Sequence, residues 1–135
     1  MRARQSLEMA AAFHGHLGPW LVLGLRAGLY ARRHLLDDPF RLEAVVRCPG
    51  RRPFTCFIDG VQCGSGCTLG KSNIRHVPSR SVGVTFRVAG KARLRLTVLP
   101  ATVRSIRMPG PDFDAVTRLG RAVFRRPLSD LFKVG

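Results

Sequence analysis

RQSLEMAAAFHGHLGPWLVLGLRAGLYARR, residues 4–33, is the stretch on which the fold turns. Leu7, Ala11, His14, Gly18, Leu21, Leu25 and Gly28 recur at steps of three and four, the spacing of one helix face. A single long helix is opposed by Pro19, because proline in a helix interior removes a backbone hydrogen bond and clashes with the preceding turn. A break at residues 15–18 resolves the conflict. It leaves Pro19 in the first turn of a second helix, where the missing N–H does no harm. The same break decides whether His14 and His16 can act together. Two positions apart on a continuous helix they would point to opposite sides, and only an interrupted chain lets them converge.

Downstream, residues 42–47 carry Val45-Val46 and read as a strand, followed by the loop Pro49-Gly50-Arg51-Arg52-Pro53. Residues 56–67 read as a short helix dissolving into Gly64-Ser65-Gly66. Strands are expected at 72–77, 82–88 and 92–99, the last two joined by a hairpin at Ala89-Gly90-Lys91. A modest helix follows at 112–124, and the tail at 127–132 is apolar enough to dock. The order α-β-α-β-β-β-α implies an α+β fold: a single domain over residues 1–135, with helices packed on one mostly antiparallel sheet.

The chain has 135 residues and is 45% hydrophobic, enough to build one core. Its longest apolar stretch falls short of the roughly 20 residues that cross a bilayer, and polar residues interrupt any signal-peptide core, so a cytoplasmic protein without a membrane span is expected. Lys and Arg number 23 against 8 Asp and Glu, a formal charge of +15 that favours anionic partners. The basic residues form no run along the chain, and neither an aromatic ribonucleoprotein motif nor a paired Cys/His finger is present. Weak, salt-sensitive polyanion affinity and no specific nucleic-acid binding are therefore expected.

Cys48, Cys56, Cys63 and Cys67 lie within twenty residues and form no CxxC pair. In a reducing compartment such a cluster points to metal or thiol chemistry before disulfides. Thiolate and imidazole together suit a divalent transition metal, zinc first. The expected ligands are His16 and Cys56 with one or both of His14 and Cys67. Cys48 and Cys63 read as small apolar residues. Asp59 shares a helix face with Cys56 and could orient a ligand histidine or serve as a catalytic base. Residues 66–72 look like a phosphate loop, but the glycine spacing is wrong for one. Lys71 remains a candidate catalytic residue and, near the Pro19 helix start, a candidate holder of a small anionic ligand. His34 and His76 are expected to stand without partners.

Phe13-His14-Gly15-His16-Leu17-Gly18-Pro19 with residues 24–28, then Pro53-Phe54-Thr55-Cys56 through Gln62 and Gly66-Cys67-Thr68 through Ile74, resemble two signatures of the FmdE family, which takes its name from formylmethanofuran dehydrogenase. The resemblance covers about residues 5–100. It implies an α+β domain related to the substrate domain of glyceraldehyde-phosphate dehydrogenase, often dimeric, with a metal beside the histidine motif and Cys56. It also implies association with a molybdenum or tungsten enzyme of one-carbon metabolism, as in methanogenesis. Many members have cysteine where this chain has Gly18, and longer members carry a zinc ribbon with paired CxxC motifs that these residues lack. Two readings follow: a metal-binding accessory protein, or a small metalloenzyme acting on an anionic or carbonyl substrate. A homodimer is expected as well, with Gly24 and Gly28 offering a close-packing face.

Overall fold

Gly15 ends the first helix, as the proline argument requires. In the computed structural model, which describes residues 3–90, 92–107 and 109–135, α1 (Ala3–His14) closes with the Gly15 N–H donating to the Ala11 carbonyl at 2.8 Å. Gly15 then takes φ of +105°, a conformation that side chains disfavour. Gly18 is extended and Pro19 opens α2 (Pro19–His34) at its first turn.

The next helix, α3 (Cys56–Ser65), lies against α2 main chain to main chain. A Cβ on Gly24 would collide with the Phe57 carbonyl oxygen and stand 2.8 Å from the Val61 nitrogen, and one on Gly60 would collide with the Leu21 carbonyl and stand 2.6 Å from the Leu25 nitrogen. Gly28 and Gly64 repeat the contact one turn on. The glycine face predicted to join two copies is thus spent inside the chain, and it supplies no surface for a dimer.

Five strands form one sheet in the order β2-β1-β3-β4-β5: β1 (Leu42–Cys48), β2 (Ile74–Pro78), β3 (Gly83–Val88), β4 (Ala92–Val98) and β5 (Phe132–Val134). Only the β1–β2 pair is parallel; the others are antiparallel, as expected of the sheet as a whole. Ala44, Val46, Val84, Phe86 and Leu96 point inward and join Leu21, Leu25, Phe57 and Val61 in one apolar cluster. β3 and β4 pair up to Val88 opposite Ala92, as the hairpin requires, although Lys91 lies outside the described residues. The apolar tail docks, with Leu131 and Phe132 buried, but it does so as α6 (Leu128–Leu131) followed by an edge strand that the sequence pattern did not announce. A 3-10 turn (Leu69–Lys71) and α4 (Pro100–Ser105) were likewise not anticipated.

The amphipathic α5 (Phe113–Arg125) is capped by the Asp112 carboxylate, which accepts from the Asp114 and Ala115 N–H groups. At its other end, Arg26 of α2 donates to the Phe124 and Arg126 carbonyls, both at 2.7 Å. This half-buried guanidinium ties α5 to α2 and fixes where Phe113 falls. Among the described residues no helix is long and apolar enough to cross a membrane.

Gly24→Ala or Gly60→Ala is expected to destabilise the fold by about 3 kcal/mol, the upper range for overpacking against unyielding backbone. Gly70→Ala, at an exposed position with only Thr68 Oγ1 at 4.0 Å, is expected to cost little. Denaturant unfolding of the three variants checks the contrast.

Candidate metal centre

The break between α1 and α2 opens onto a cleft of about 670 Å³, lined by His14, Gly15, His16, Arg52, Pro53, Cys56 and Phe113. Each element contributes for a local reason. His14 closes α1 and His16 follows the Gly15 turn, so the two imidazoles stack with centroids 5.0 Å apart. Phe113, at the start of α5, meets the His16 ring edge-on at 5.4 Å. Cys56 begins α3 where the loop ahead of it is held by Phe54 packing edge-on against Trp20.

Asp59 sits one turn along α3, its Oδ2 2.6 Å from His14 Nδ1. A carboxylate only accepts, so His14 Nδ1 carries the hydrogen of this bond, and in the neutral ring the lone pair is on Nε2. Gln62 steadies the other oxygen from 3.4 Å. Burial, and then the neighbouring His14, lower the pKa of His16, so at neutral pH His16 is the neutral imidazole that can bind a metal. Burial and then Asp59 raise the Cys56 thiol, with Arg52 opposing them. Cys56 is thus a thiol that must lose its proton to become a ligand.

His14, His16, Cys56 and Asp59 are therefore brought together. Cys67 and Lys71 are not. Cys67 is buried beyond the opposite end of α3, a helix about 13 Å long from Cys56 to Ser65, where its N–H donates to Ser65 Oγ at 3.0 Å. Lys71 Nζ donates to the Gly66 carbonyl at 2.6 Å and lies 5.4 Å from the Phe40 ring, so it secures the turn after α3. The cation in the cleft is Arg52, a residue that the sequence pattern placed only in a loop. Phe113 was also missed, because nothing local relates residue 113 to residue 16. Arg51-Arg52, just ahead of the second signature, was the one available hint.

The remaining histidines do have neighbours. His76 Nε2 lies 3.0 Å from the Cys48 carbonyl oxygen and 3.3 Å from its sulfur, and His34 stacks on Tyr30 at 4.1 Å. Cys48 is fully buried as expected, whereas Cys63 is only partly buried and lines an apolar groove with Met9, Phe13 and Leu69. All four cysteines are free. In the present side-chain arrangement no group of three or more His, Cys, Asp or Glu among the described residues could hold a metal ion.

A family model described as "FmdE, Molybdenum formylmethanofuran dehydrogenase operon" matches residues 13–132. The chain belongs to this family. The FmdE match starts at the histidine motif and reaches β5, so α4, α5 and the C-terminal edge strand all fall within it, beyond the span of about 5–100 over which the motifs carry the resemblance. A protein of Archaeoglobus fulgidus described as a "Probable S-adenosyl-L-methionine-binding protein" is 33% identical over 75 residues, which cover 50% of this chain and 19% of that relative. The FmdE-family chain thus spans about a fifth of that relative's length.

Burial lifts the Cys48 thiol from the ordinary 9.0 to about 11. A raised folded-state value means that the neutral thiol's contribution to stability is complete below pH 9 and is lost as pH climbs toward 11. Thermal midpoints are expected to fall over that interval, and to fall less steeply in Cys48→Ala. At pH 8, maleimide labelling followed by mass spectrometry is expected to modify Cys56 and Cys63 before Cys48 or Cys67.

Proposed function

We propose that this FmdE-family chain is an accessory protein that holds a divalent transition metal, zinc first, in the His14–His16–Cys56 cleft. Its partner would be a molybdenum or tungsten enzyme of one-carbon metabolism. The observation that carries the reading is the His14–Asp59 bond, the carboxylate-to-imidazole arrangement that fixes the tautomer of metal-binding histidines. The donor set fits in kind, since two imidazoles and a thiol suit zinc. It is not closed, so capture requires the His14, His16 and Cys56 side chains to rearrange around the ion. When bound, the metal would supply Lewis acidity and polarise an oxygen ligand. Asp59 orients His14, and Arg52 would hold an anionic group at the cleft mouth.

The openness of that cleft supports a second reading, a small metalloenzyme on an anionic or carbonyl substrate with Asp59 as base. A bound metal with three protein ligands and one exchangeable position would favour it over a closed accessory site. The A. fulgidus relative adds S-adenosyl-L-methionine to the ligands worth titrating. Four free cysteines suit the cytoplasm. A homodimer stays within the proposal, but on a surface other than the Gly24–Gly28 face; light scattering would measure it.

Elemental analysis of untagged protein prepared without chelators is expected to find about one metal per chain. His16→Ala and Cys56→Ser should lose it, Asp59→Asn should weaken affinity about 10- to 100-fold, and Cys67→Ser should retain it. Equal, negligible metal in the wild type and all four variants would rule the site out. In the same assay Gly18→Cys is expected to tighten binding. A Cβ there would lie 3.6 Å from His16 Nε2, with Val116 Cγ1 at 3.3 Å giving way slightly.

A further inference from the structure

The basic residues that look dispersed along the chain are gathered by the sheet. Side chains alternate between the two faces of a strand, so the register places each outward residue beside outward neighbours. Val45 pairs with Arg75 and Thr85, Glu43 with Arg87, Arg47 with Gly83, Arg87 with Arg93, Thr85 with Arg95 and Thr97 with Lys133. The face turned away from the apolar cluster therefore carries Arg47, Arg75, Arg87, Arg93, Arg95 and Lys133 against a single acid, Glu43. All but Arg47 are exposed.

Arg47 lies toward the C-terminal end of β1, opposite the first residue of β3. Its Nη1 donates to Thr85 Oγ1 at 2.8 Å, whereas Nη2 is shielded from solvent and has no hydrogen-bond partner. The group rests over Gly83, where a Cβ would come within 3.2 Å of Nη2. Burial and the nearby Arg95 both act against its charge. Beside it, Arg95, Thr97 and Lys133 line a shallow depression of about 360 Å³. An anionic oxygen seated at this depression would offset the crowding of Arg47 and Arg95, and would pair Nη2 once the guanidinium turns outward.

We propose that this open face docks the phosphate backbone of nucleic acid without reading its sequence, with Arg47 and Arg95 among its contacts. The chemistry between the cations selects this occupant. Outward positions on the described strands hold Thr, Val and Gly and no aromatic ring, so bases have nothing to stack on. Stable protein interfaces set their arginines around apolar and aromatic anchors, and no aromatic anchor stands among these cations. A second copy seated here would bring like charge onto like charge. Arg, Lys and Thr are the side chains that contact phosphates. Five strands span about 19 Å, the length of about six base pairs.

Fluorescence anisotropy with a labelled 20-base-pair duplex and a 20-nucleotide single strand, titrated between 50 and 200 mM salt, tests the proposal. Duplex affinity is expected to fall with a log–log slope of about −3 to −5, and to differ by less than about twofold between scrambled sequences. The double variant Arg93→Gln/Arg95→Gln removes two exposed cations and is expected to weaken binding about tenfold and make the slope about 2 units shallower. Arg118→Gln/Arg121→Gln on α5, an equal loss of charge elsewhere, should change affinity less than about twofold, and circular dichroism confirms that both variants fold. Equal losses in the two double variants, or an unchanged sheet variant, would overturn the assignment. So would a clear sequence preference. Poly-glutamate competing as well per charge as the oligonucleotide would reassign the face to an acidic protein.

Discussion

Where α2 and α3 cross, main chain meets main chain, and the rest of the structure is arranged around that contact. Ordinary helix pairs keep their axes 8–10 Å apart because side chains fill the gap. Here Gly24 and Gly28 face Gly60 and Gly64, and no side chain can enter. The contact sets the rotation of α3 as well as its distance. One end of α3 then delivers Cys56 and Asp59 to the break between α1 and α2, and its other end carries Cys67 away. The membership of the cleft follows from a packing constraint made of residues that have no chemistry of their own.

Two partly buried arginines show how differently the interior treats a guanidinium. Arg26 donates to the Phe124 and Arg126 carbonyls at the end of α5, where unpaired acceptors and the negative end of the helix dipole both favour a cation. Its desolvation is offset by those bonds, and the result is a fixed α5 and a Phe113 held against His16. Arg47 has one bond and one orphaned nitrogen on a face crowded with like charge. A buried donor without an acceptor costs about 1–3 kcal/mol. One arginine builds the cleft; the other marks the opposite side of the sheet as unfinished.

The break at residues 15–18, the start of α2 at Pro19, and the strands at β1, β3 and β4 were all legible from local pattern. Proline geometry, glycine turns and the period-two alternation of apolar residues act over a few residues, and no distant partner changes them. The parallel β1–β2 pair and the edge strand β5 were not legible, because register between segments distant in the chain leaves no mark within either segment. The same limit explains the site. His14 and His16 are two residues apart and were readable as a pair, with Cys56 as their thiol, whereas the separation of Cys67 from them depended on which end of α3 the glycine contact points at the histidines.

What the amino-acid sequence determined by itself is therefore the set of elements, the helix break and the kinds of donor available, together with family membership through motifs that are contiguous. What only the tertiary structure decided is which donors meet. Asp59 became the partner of His14, Arg52 replaced Lys71 as the cation of the cleft, and arginines from four strands became one surface. Each outcome depends on angles and registers set by packing between segments tens of residues apart, and close packing of main chain against main chain fixes such geometry through shape, which no single segment encodes.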